Sequence, residues 1–222
     1  MSAAKERALE KHRYINVEHD DWYEYVYEDF RCVMEDKHIH VERMYFSGFC
    51  SQGDGACFEG SIAGGRVVEY LDMHHPNEYP MIRKLVESGG YFNISVWQRG
   101  HYYHQYGTVF TVEHDSFYNI LETPTDLQSM VAATYDNMLD AEASAFEEVT
   151  KDKWRGYMGD LYKQLNDEYD ALTEDDAVWD TIIANDMLEG EEDDEDGSSE
   201  DTSEDDTEYE AILNGERCGN GV

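Results

Sequence analysis

At two places this chain sets a glycine-bearing turn between runs rich in aromatic and β-branched residues. In the first, Ile39 to Phe49 (IHVERMYFSGF) and Ala56 to Ile62 (ACFEGSI) flank Ser51-Gln52-Gly53-Asp54-Gly55. In the second, Tyr91 to Gln98 (YFNISVWQ) leads through Arg99-Gly100 into His101 to Glu113 (HYYHQYGTVFTVE). Glycine supplies the positive φ that tight turns demand, and alternating apolar runs pleat into half-buried strands. The chain is therefore expected to form two hairpins, giving an antiparallel sheet of about four strands, with the second hairpin the clearer signal.

Elsewhere the apolar period is helical. Asp20-Asp21 precedes Trp22, Tyr23, Val26, Tyr27, Phe30, Val33 and Met34, an i, i+3, i+4 face that predicts a helix over 21–36. A softer helical signal lies at Val67 to Leu71, and Met81 to Glu87 reads as a short helix ended by Gly89-Gly90. After Pro124 the spacing is helical throughout. Thr125 or Asp126 caps a helix carrying Leu127, Met130, Val131, Tyr135, Met138, Leu139, Phe146 and Val149. A continuation or second helix carries Trp154, Tyr157, Met158, Leu161, Tyr162, Leu165, Tyr169 and Leu172. Gly156 and Gly159 interrupt that run at about 1 kcal/mol each relative to alanine. Thr173-Glu174-Asp175-Asp176 reads as a capping box opening a last helix. The fold class expected is α+β, with helices on one face of the sheet, a helical C-terminal half and a disordered acidic tail. The regions are a polar segment 1–19, a hairpin domain 20–124, an acidic helical region 125–188 and a polyanionic tail 189–222.

Charge narrows the partner class. Fifty-one acids against sixteen Lys and Arg give a formal charge of −35. Between Lys163 and Arg217 there are 23 acids and no base, while residues 1–163 hold 28 acids and 15 bases. The body is thus acidic even without the tail. Such a field repels nucleic acid and anionic membrane and attracts basic protein surfaces. Residues 189–210 hold almost no apolar side chain, so burial cannot offset the entropy of ordering them. No apolar run reaches eighteen residues, the N-terminus lacks an apolar signal core, and four cysteines without a CxxC spacing suit a reducing cytoplasm.

Three constellations could carry chemistry. Cys50 and Cys57 flank the first turn, with Asp54 at its tip; the simpler reading is a turn bearing two small thiols. Arg99-Gly-His-Tyr-Tyr-His-Gln-Tyr106 holds His101 and His104, which an extended strand points to opposite faces, so no metal or other cofactor is expected. A pocket built from both turns would draw on Gln52, Asp54, Glu59, Arg99, His101, Tyr103 and His104. The third is acidic: Asp136, Asp140 and Glu147, expected opposite much of the apolar set, then Asp152, Asp160 and Asp167. Carboxylates on a rigid helix can imitate the phosphates of a duplex; the plainer reading is a solvated helix face.

Three segments, DDWYEYVYEDF (20–30), YFSGFCSQGDGACFEG (45–60) and RGHYYHQY (99–106), resemble a family of small acidic proteins encoded by tailed bacteriophages. That family more often carries Trp where this chain has Cys50, which weakens a two-thiol chemistry. The resemblance implies a phage accessory protein working in the host cytoplasm and transfers no catalytic residue. Charge and resemblance together lead to a non-enzymatic inhibitor that binds a basic, nucleic-acid-binding host protein. It would act as a DNA mimic against restriction, CRISPR or transcription machinery, without touching nucleic acid or membrane itself. The alternatives are a small-ligand or metal-binding domain or enzyme using the two hairpins, and an antitoxin-like masking partner. The sequence sets no oligomeric state.

Overall fold

The computed structural model describes residues 3–120 and 125–187. The acidic tail at 189–222 lies outside the described residues. The chain opens with α1 (Ala3–Lys11), two single-turn 3-10 helices (Ile15–Val17 and Asp20–Tyr23) and α2 (Glu24–Asp36). Strands β1 (His40–Phe46) and β2 (Ala56–Ala63) follow, then α3 (Gly65–His74) and α4 (Pro80–Glu87). Next come β3 (Phe92–Gln98), a 3-10 turn (Gln105–Gly107), β4 (Thr108–His114) and the four-residue α5 (Phe117–Ile120). The described chain ends in α6 (Asp126–Thr173) and α7 (Asp175–Ala184).

The four strands form one antiparallel sheet in the order β1-β2-β3-β4. Register follows the alternation of the sequence: Met44 faces Phe58, Ile62 faces Ile94, and Val96 faces Phe110, all on the side that receives the helices. The other side presents Arg43, Glu59, Ser95, Trp97 and Thr111, polar or half-exposed, as expected of a sheet solvated on one face. α6 crosses β2 and β4, placing Phe146, Trp154 and Met158 against Phe58, Phe92 and Phe110.

Two boundaries differ from the sequence expectation. The return strand of the second hairpin starts at Thr108, not His101, and residues 99–107 form a loop closed by Arg99 N–H donating to Gly107 C=O at 3.0 Å. The helical half is not a packing unit of its own. Its buried residues from Ala132 to Leu165 belong to the same core as the sheet. α6 is one helix of 48 residues, opened by a reciprocal Thr125–Gln128 capping box. Its Gly159 faces the loop before β4, where a Cβ would stand 3.1 Å from Gln105 Oε1. The polar N-terminal segment holds α1, whose Leu9 joins Val178 and Ile182 of α7 in a small second core.

Candidate functional site

The carboxylates of α6 fall into two groups that the helical wheel alone does not separate. At 3.6 residues per turn, Asp136, Asp140 and Glu147 border the buried row formed by Leu139, Ala143, Phe146 and Thr150. They flank the core and do not stand opposite it. Asp136 is half-buried and accepts from Ser116 Oγ and from the Phe117 backbone N–H, both at 2.6 Å, so it fastens the start of α5. Asp140 Oδ1 lies 3.5 Å from His114 Nε2 at the end of β4. Glu147 is half-buried and, with His114, Asp140 and Ser144, lines a polar cleft of about 240 Å³. Glu142 gave no signal in the sequence, yet its Oε2 accepts from the N–H groups of Met81 (2.8 Å) and Ile82 (3.2 Å) at the start of α4.

The second group points to solvent. Asp152, Asp160 and Asp167 are exposed, and fifteen residues of helix separate the outer two by ~22 Å. Asp167 meets Lys163 at 3.4 Å. Toward the C-terminal end of this row, α2 adds the exposed carboxylates Glu24, Glu28 and Asp29. The two helices meet there: the Tyr25 phenol is pushed up to about 12 by burial, then by its hydrogen bond to Glu168 and the charges of Glu168 and Asp29. A ring cluster of Trp22, Phe46, Phe49 and Tyr169 fixes that junction.

The residues of the alternative pocket do gather, at one end of the sheet. Tyr103 stacks on Tyr45 with centroids 5.1 Å apart, and His104 lies so close to Gly55 that a Cβ there would stand 2.6 Å from its Cδ2. Their polar atoms are engaged in building the loops. Asp54 Oδ2 accepts from the Cys50 and Ser51 N–H groups at 3.0 and 2.6 Å. Glu59 accepts from Tyr45 Oη at 3.2 Å and from Gln98 N–H at 3.3 Å. His104 Nδ1 accepts from Tyr106 N–H at 3.2 Å. Gln52, Arg99 and His101 are exposed. Cys57 is a free, buried thiol facing Tyr45, not a cross-strand partner of Cys50, and burial followed by Glu59 pushes it up to about 12.

The larger cavity lies elsewhere. About 350 Å³ in volume and apolar, it sits between α4, α5 and the start of α6, lined by Phe117, Ile120, Leu127, Val131 and Tyr135 with Lys84 at its edge. Among the described residues, no group of three His, Cys, Asp or Glu is placed to hold a metal ion. No helix among them is long and apolar enough to cross a membrane.

Residues 22–175 match the family described as a domain of unknown function (DUF8835), and the chain belongs to that family. No curated protein and no solved structure matches it. The matched span runs from the start of the Trp22 ring cluster through α6 to the first residue of α7. It therefore includes the exposed row Asp152, Asp160, Asp167 and excludes the acidic tail.

Proposed function

We propose that this is a phage accessory protein that binds a basic surface on a nucleic-acid-binding host protein, in the manner of a DNA mimic that inhibits host defence or transcription. The observation that carries the reading is the exposed row Asp152, Asp160 and Asp167, held along ~22 Å of one uninterrupted helix. A helix anchored to a sheet by Phe146, Trp154 and Met158 presents those charges without a further ordering cost. A duplex offers a charge about every 1.7 Å of axis, so three carboxylates are too sparse alone. Glu24, Glu28 and Asp29 of α2, the helix whose Tyr25 bonds Glu168, add exposed carboxylates near the junction. Lys and Arg of the partner would meet them through charge-assisted hydrogen bonds, in a contact that weakens as salt rises. A ligand pocket in the two loops draws less support, because Asp54, Glu59 and His104 are committed to holding the loops.

The test is capture of proteins from bacterial lysate at low and high salt, with mass-spectrometric identification. The triple variant D152N/D160N/D167N is expected to lose a basic, nucleic-acid-binding partner that wild type retains, while H101A and H104A keep it. Loss with the histidine variants and retention with the acid variant overturns the reading.

A further inference from the structure

In a chain with 51 acids and 16 Lys and Arg, one junction of the described structure gathers basic side chains from three helices. Lys37 caps the C-terminal end of α2, and its Nζ lies 5.8 Å from the ring centroid of Tyr157. One turn earlier on α6, Lys153 holds its Nζ 5.8 Å from the centroid of Tyr70. Tyr70 in turn meets His74, the last residue of α3, edge to face at 4.5 Å. His38 stands beside this group in a left-handed conformation, φ 63°, with its Nδ1 3.2 Å from Glu69. All four basic side chains are half-buried.

The carboxylate paired within the junction is Glu69, on His38, while the charge of Asp160 reaches the Tyr157 ring. Neither lysine forms an ion pair among the described residues; nearby carboxylates are taken, Glu69 by His38, Asp72 by Arg83 and Glu78 by His75. His74 Nε2 is buried and meets no hydrogen-bond partner there. Burial and then Lys37 push the Lys153 ammonium down. His74 is pushed down to about 4, by burial first and then by Lys153, His75, Lys37 and His38. The charges that add to burial in pushing these two groups down belong to basic side chains. The C-terminal carbonyls of α2 and α3 account for a cation at each helix end. They do not account for a lysine brought to the same place from the middle of α6.

We propose that this junction binds a small oxyanion of the phosphate class, with Lys37 and Lys153 as its charge partners and His74 Nε2–H as a hydrogen-bond donor. Two lysines offer point charges suited to a tetrahedral oxyanion, and an imidazole that is hard to protonate in the empty site becomes easier to protonate beside a bound anion. The site adjoins the exposed acidic row, Lys153 following Asp152 on α6, but the proposal stands without the functional reading given above.

The experiment titrates the full chain with inorganic phosphate at constant ionic strength set by chloride, reading binding by calorimetry and the His74 imidazole by NMR. A parallel titration with acetate distinguishes phosphate from carboxylate as the source of the oxyanion. Saturable phosphate binding is expected, with the His74 pKa rising by about one pH unit. K37Q and K153Q should each weaken binding by about tenfold, while K153R and the distant K163Q keep it. The proposal is overturned if phosphate acts no differently from chloride, or if K37Q and K153Q, folded by circular dichroism, bind as wild type does. It is overturned equally if acetate saturates the site and phosphate does not.

Discussion

A histidine pressed against a tyrosine ring among lysines resists protonation, and that resistance has a sign. Unfolded, His74 takes up a proton near pH 6.5; folded, it holds off to about 4. Above pH 6.5 both states are neutral and the residue contributes nothing to the pH dependence. As pH falls from 6.5 toward 4 the unfolded state binds the extra proton, so stability is lost. Thermal melts across pH 7 to 5 should show a smaller loss of Tm for H74N than for wild type. Equal losses would mean that burial and the neighbouring basic groups do not hold the imidazole's pKa down. Cys57 gives a second test at this scale. Its thiol is fully buried and pushed up to about 12, whereas Cys32 is free and exposed. The thiolate is the reactive form, so an alkylating reagent should modify Cys32 in the native protein and leave Cys57 untouched until the chain unfolds.

At the scale of elements, two carboxylates of α6 serve helices other than their own. Glu142 receives the first N–H groups of α4, and Asp136 receives Phe117 N–H and Ser116 Oγ at α5. A carboxylate at these unpaired donors acts as a cap supplied from a neighbouring helix. E142A and D136A should therefore each cost about 1–2 kcal/mol in urea unfolding, and the exposed D160N close to nothing. This division marks where the sequence stops being legible. The helix over 21–36 and the two hairpins could be read because their signals are local: a repeating apolar face, or glycine between alternating runs. The facing of Asp136 could not, because a helical wheel shows which residues share a side but not which flank meets the end of β4. The continuity of α6 was obscured by Gly159, whose missing Cβ matters only once Gln105 approaches from another element. The start of β4 was misplaced for a related reason. His101 to Gly107 looks strand-like, but its aromatic rings pack on Tyr45 and across α6, where Arg155 lies 5.4 Å from the Tyr106 ring centroid, and do not extend the ladder. The capping box expected at Thr173 is absent as well, since its hydroxyl donates back to Tyr169 C=O at 2.8 Å.

Across the whole molecule the net charge of −35 exerts two opposite effects of salt, and they separate recognition from mere solvation. A compact body with 28 acids and 15 bases in residues 1–163 repels itself, and compaction brings those charges together. The Debye length shrinks from about 10 Å at 0.1 M to about 3 Å at 1 M, which removes most repulsion between surface carboxylates. Surface pairs such as Lys163–Asp167 and Arg13–Asp175 lose something as well, but exposed pairs are worth little to begin with. The balance favours screening, so Tm should rise between 0.05 and 1 M chloride. Capture of a basic partner should fall over the same range, because its attraction is the same field seen from outside. An acidic surface that only solvates the protein would show the first trend and have no partner to lose. If a partner is held undiminished at 1 M salt, recognition rests on an uncharged surface, and the apolar cavity between α4, α5 and α6 becomes the place to mutate. If Tm falls as salt rises, the few ion pairs outweigh the excess of acid, and the carboxylates are held in a compensated arrangement that a basic groove would have little reason to seek.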